Sequence, residues 1–227
     1  MSVSNGEGGG GGRSMSVFAV GTMKTGNSLS RKASRSNGGG PGHVVNAHAV
    51  PIFANLANLH QARGQYDEAE GHLRHILRIQ RTLHGNRHSC VATALGALGY
   101  NLHQQGRYGD AEPLYLEDLA ITEEINCGAD DINVVDSLNN LAVVYQQSGK
   151  FAESSELYLR DLAISTRLLG ADHPSITVTQ INLAITYIHL ARLDDAHELL
   201  KTALQARLAA HGEEHLRVAE TPTNLTY

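Results

Sequence analysis

The sequence predicts an all-α protein, a right-handed α-solenoid of about four stacked helical hairpins behind a glycine- and serine-rich tail. Three observations predict it. Gly64, Gly106, Gly149 and Ala191 recur at separations of 42, 43 and 42 residues in the same local context. A second series, Gly85, Gly128, Gly170 and Gly212, marks the other boundary of each unit. Between the boundaries, apolar residues fall at helical spacing.

Residues 1–43 form the tail. Gly8–Gly12 is a run of five glycines, and three more precede Pro41-Gly42. Such a stretch cannot bury enough apolar area to offset its backbone entropy, so disorder is expected. The run is not a phosphate-binding loop, because no strand precedes it and no helix follows it. The tail holds five basic residues and one acid, which leaves 13 basic and 22 acidic residues, a balance of −9, for the remainder. A basic arm on an acidic body is expected to be solvated. Met15–Ser36, Ser-rich and free of acids, also has the composition of an organelle transit peptide, and Arg31-Lys32-Ala33-Ser34 suits a basophilic kinase.

Residues 44–227 are expected to hold four hairpins and a truncated fifth first helix. In each unit a leucine (Leu56, Leu98, Leu141, Leu183) lies eight residues before the first glycine phase, followed by a small residue (Ala57, Gly99, Ala142, Ala184). The small residue lets two helices approach. An aromatic or large residue two places after the glycine phase (Tyr66, Tyr108, Phe151, Leu193) fills the space beside it. Asp172-His173-Pro174 reads as a helix start, with Asp172 as the cap and Pro174 in the first turn. A second helix is expected from about Leu193 to Ala210. A lone hairpin would expose its apolar side, and stacking buries it. Val218, Asn224 and Leu225 match the first helix of a fifth unit, with Pro222 inside it. The last hairpin is therefore expected to be poorly covered and capable of self-association.

These motifs resemble a known family. Asn55-Leu56-Ala57, followed by Gly64-Gln65-Tyr66-Asp67-Glu68-Ala69-Glu70, is similar to the tetratricopeptide pattern. The 42-residue spacing and the Gly170-Ala171-Asp172-His173-Pro174 junction resemble the kinesin light chain class of these repeats. The resemblance implies a non-enzymatic scaffold or adaptor that captures a protein or linear peptide on a concave face lined by first helices. A kinesin heavy chain or its cargo is one implied partner. The repeat region of a larger signalling protein is an alternative. Kinesin light chains carry a long heptad coiled coil, and residues 1–43 show no heptads.

Projected onto that architecture, Asn55, Asn140 and Asn182 share one groove-facing phase with Ala97. Asn58 and Tyr100 lie one turn on, beside Val143 and Ile185, and Gln104, Gln147 and His189 another turn on, with Ala62. Asp136 also falls on the groove side. Amide side chains can donate to and accept from an extended peptide, or bond neighbouring helices. Asp118 and Asp161 replace an alanine usual at their phase. The resemblance implies groove cations that read acidic motifs, and these are largely missing. A neutral or basic peptide is therefore the expected ligand.

Other chemistry is not expected. A net charge of −5 argues against nucleic acid, which needs a basic face. No apolar run reaches the ~20 residues of a membrane span, and a cytoplasmic location is expected. Cys90 and Cys127 read as free thiols. His72 with His75, and His84 with His88, have the spacing of metal ligands, but His88, His173 and His215 share one repeat phase and His84 and His211 another. Structural or capping roles are expected for them, and no cofactor. Glu123-Glu124 and Asp130-Asp131 are expected to be solvated or to cap the next helix.

Overall fold

The computed structural model describes residues 47–211. The tail, with its transit-like and kinase-site motifs, and the truncated fifth helix with Val218, Pro222, Asn224 and Leu225 lie outside the described residues. A 3-10 turn at Ala47–Ala49 leads into eight helices: α1 (Val50–Ala62), α2 (Tyr66–His84), α3 (Ser89–Gln104), α4 (Tyr108–Ile125), α5 (Ile132–Gln147), α6 (Phe151–Leu169), α7 (Pro174–His189) and α8 (Leu193–His211). No strand occurs among the described residues. Consecutive helices pack on one another throughout, which makes a right-handed α-solenoid of four hairpins.

Each hairpin turns through a left-handed residue. Gly64, Gly106 and Gly149 have φ of 72°, 74° and 76°. The following N–H reaches back five residues: Gln65 to the His60 carbonyl, Arg107 to Leu102, Lys150 to Tyr145 and Arg192 to Tyr187, at 2.8–3.0 Å. Ala191 makes the same turn at φ 57° with a side chain that disfavours it. Ala191→Gly is therefore expected to stabilise the chain by about 0.5–1 kcal/mol, read as a rise of about 1–3 °C in thermal midpoint. A fall would show that the turn is not under strain.

Helix starts correct one expectation. The cap of α7 is His173, not Asp172: the His173 Nδ1 accepts the Ser175 N–H at 3.3 Å. His88 caps α3 in the same way through Cys90 N–H at 3.1 Å, and Asp131 caps α5 through Asn133 N–H at 2.7 Å. Only the residue directly before the helix can reach the second amide with a short side chain, and Asp172 stands one place too early.

The core follows the repeat. Leu98, Leu141 and Leu183 are buried, as are Ala57, Ala142 and Ala184. The Tyr115 ring lies against Gly99 so closely that a Cβ there would meet Cζ at 2.9 Å. Apolar packing forms two clusters. One runs from Ala57 to Val144 and includes Ile164, and the other runs from Ala142 to Ala203.

Candidate peptide-binding face

The first helices of neighbouring hairpins also touch, α3 on α5 and α5 on α7. The sequence-derived site residues all lie on these first helices. Asn55 and Asn58 are exposed on α1, Tyr100 and Gln104 are half-buried on α3, and on α5 Asp136 is exposed while Asn140 and Gln147 are half-buried. His189 is exposed at the end of α7, its ring stacked on Phe151 at 4.3 Å. Burial raises the Tyr100 pKa, with the Tyr66 phenol adding to it. Asn182 differs from its companions. It is 2% exposed, and the Gln146 amide of α5 bonds to its backbone carbonyl at 3.1 Å.

The amides that bond hairpin to hairpin were not among the expected residues. Asn101, fully buried, accepts from Gln61 Nε2 at 3.1 Å and donates to the Tyr66 carbonyl at 2.8 Å. Gln146 donates to the Asn182 carbonyl and to Thr186 Oγ1 at 2.9 Å. Thr186 Oγ1 itself donates to the Asn182 carbonyl, so it can only accept from Gln146, which fixes the Gln146 amide orientation. In repeat phase Asn101 corresponds to Leu59, Val144 and Thr186. A polar residue at a phase that is otherwise apolar or hydroxyl was the available signal.

The junctions between hairpins also carry buried acids. Where Ile76 faces the following hairpin, the equivalent positions one and two units on hold Asp118 and Asp161. The first helix of the following hairpin changes in step, from Ala94 to Ser137 and Thr179. Ser137 Oγ donates to Asp118 Oδ2 at 3.2 Å, and Thr179 Oγ1 donates to Asp161 Oδ2 at 3.1 Å. Asp161 also receives Ser165 Oγ at 2.7 Å and Asn139 Nδ2 at 3.3 Å. Burial pushes the Asp118 pKa up to about 7, opposed by its hydroxyl donors and helped by Asp136. Burial raises Asp161 as well, against three donors.

Ion pairs tie successive hairpins on their outer parts: Arg81 to both oxygens of Glu117 at 2.7 Å, Lys150 to Glu112 at 2.8 Å, Arg107 to Glu70 at 2.8 Å, and Arg167 to Asp130. Solvent screens exposed pairs of this kind, so they orient the hairpins more than they stabilise them. The histidines are engaged in packing. His84 stacks on His88 at 4.3 Å, His72 on His60 at 5.4 Å, and His75 on Phe53 at 5.4 Å. Cys90 and Cys127 are free thiols. No described helix is long and apolar enough to cross a membrane.

Comparison with known proteins agrees with this geometry. The tetratricopeptide repeat family model matches residues 49–124 and 133–209. No curated protein matches the chain. Among solved structures, BtubC (BKLC) from P. vanneervenii is 25% identical, with a TM-score of 0.66; the match covers 72% of this chain and 65% of that one. This chain thus spans slightly under two thirds of the length of that relative. The putative kinesin light chain nearly identical TPR-like repeats of Podosopora anserina are 24% identical with a TM-score of 0.69, over 78% of this chain and 83% of that one. The apo form of RapI shares the fold at 15% identity and a TM-score of 0.67, over 79% and 62%. The chain belongs to the tetratricopeptide repeat family, whose stacked hairpins serve as protein-interaction scaffolds and are typically not enzymes.

Proposed function

We propose that this chain is a non-enzymatic adaptor that holds a linear peptide or an extended segment of a partner protein against its first helices. The observation that carries the reading is the contact of α3 with α5 and of α5 with α7, since a stack whose alternate helices touch curves toward them. Asn55, Asn58, Tyr100, Gln104, Asp136, Asn140, Gln147 and His189 lie on the first helices, exposed or half-buried, which supports reading them as the lining of that side. Their amides, phenol and imidazole can bond an extended backbone, and Tyr100 offers an aromatic surface. Asn182, being buried, is left out of that set.

The test is capture of partners by the full chain against an Asn140→Ala, Gln147→Ala variant, with Arg74→Ala on the second-helix side as control. The double variant is expected to lose about tenfold in captured partner, the control nothing, with equal melting curves. Identical capture by all three would end the concave-face reading. A role as cargo adaptor for a motor heavy chain would use the same face, and the 42-residue period with the His173-Pro174 junction favours it.

A further inference from the structure

The two buried carboxylates occupy equivalent places but are not equally served. Asp161 Oδ2 takes a hydroxyl from Thr179 and an amide N–H from Asn139. Asp118 Oδ2 lies 3.2 Å from the corresponding hydroxyl, Ser137 Oγ, whose one proton is shared with the Asn133 carbonyl at 3.0 Å. Its other donor, Thr122 Oγ1, lies at 3.4 Å from Oδ1 and is committed to the Asp118 backbone carbonyl at 2.8 Å. The residue equivalent to Asn139 is Gly96. A Cβ built on Gly96 would lie 3.2 Å from Asp118 Oδ2, a close approach, with the Asp118 carboxyl group its nearest neighbour outside α3. Gly96 is half-buried, on the helix that carries Tyr100 and Gln104. Lacking a side chain, it leaves a notch in α3 beside the carboxylate oxygen, at the position where the neighbouring unit places an amide donor.

The surroundings select the donor. Asp136, exposed on α5, is close enough to act on Asp118 electrostatically. Tyr115 on α4 feels the Asp118 charge, and Tyr100 of α3 acts on Tyr115. Asp136 thus adds negative potential at Asp118, and the Tyr115 phenol lies within reach of the same charge. A neutral amide would satisfy one oxygen, whereas a guanidinium or ammonium also relieves the repulsion between the two acids.

We propose that the Gly96 notch is a subsite for a basic side chain, arginine or lysine, of the bound peptide, whose N–H donors take the place at Asp118 that the Asn139 amide takes at Asp161. This rests on the concave-face reading and names the ligand chemistry for it. Arginine fits better, because its planar fork presents two N–H donors in a fixed geometry to a carboxylate.

The experiment titrates the 15N-labelled full chain with N-acetyl-arginine amide, and in parallel with the lysine, glutamine and leucine analogues. Saturable shifts at the Gly96 and Ser137 amides are expected with arginine, at least about tenfold tighter than with glutamine. Equal binding of glutamine, or arginine shifts scattered without saturation, would overturn the subsite. Gly96→Asn, which installs the donor in cis, is expected to abolish the arginine response. Unchanged binding by that variant would also overturn it. If Gly96→Asn does not fold, Asp118→Asn gives the answer: about tenfold weaker binding supports the subsite, and unaltered binding sinks it. Loss of partner capture by the Asn140, Gln147 variant together with no arginine response removes the subsite alone. An arginine response with capture unaffected by that variant removes the concave-face reading.

Discussion

Asp118→Asn is expected to raise the thermal midpoint by about 5–10 °C at pH 8 and to leave it unchanged near pH 4. The sign follows from linkage. The Asp118 carboxyl titrates at about 7 in the folded chain, against 3.8 for the free side chain. Between these values the folded state binds the extra proton, so stability falls as pH rises through that window and levels off above it. A shift of this size corresponds to up to about 4 kcal/mol. Burial is the main cause, and the facing Asp136 adds to it. Asparagine is neutral at every pH and keeps a group that can accept from Ser137. Melting curves of both proteins from pH 4 to 9 check the expectation. Parallel curves with a constant offset would mean that Asp118 stays ionised throughout.

Asn101→Ala is expected to cost about 2–3 kcal/mol at all these pH values. Asn101 is fully buried and ties the second hairpin to both helices of the first, taking the Gln61 amide and supplying the Tyr66 carbonyl at the start of α2. Truncation leaves both groups short of a partner and opens a small void. Gln105 Nε2, at 3.3 Å from the same carbonyl, recovers part of the loss. The double variant Gln61→Leu, Asn101→Val is expected to be more stable than Asn101→Ala, because the third hairpin already uses Val144 at this phase. Chemical denaturation of the parent chain and the two variants gives the order of stability. A cost below about 0.5 kcal/mol for Asn101→Ala would show that the bridge adds nothing beyond packing.

Most of the fold was legible because its signals are local. A left-handed residue must follow a helix, a small residue must sit where helices approach, and both recur at one period from Gly64 to Ala191. The capping role of His88 and His173 was visible as shared phase, yet Asp172 was the more obvious cap by residue type. Only backbone geometry decides which residue stands directly before the first turn. The junction chemistry was harder to read. That Asp118 and Asp161 depart from alanine is plain in the sequence. What surrounds them comes from helices 18 to 22 residues away, and Ser137, Gly96 and Asn139 acquire meaning only once hairpins are stacked. For the same reason Asn182 reads as a groove residue by phase, while Asn101 and Gln146, which bridge the hairpins, do not stand out.

Every described hairpin leans on its immediate neighbours, and no packing joins distant parts of the described chain. Drawing the two ends together therefore breaks no long-range contact; it adds a small rotation at each of three seams, as in a coiled spring. The seam holding Asp118 and Ser137 replaces apolar grip with a carboxyl and a hydroxyl. Asp161 and Thr179 do the same at the next seam, so under load the bend gathers at these two seams rather than at the first.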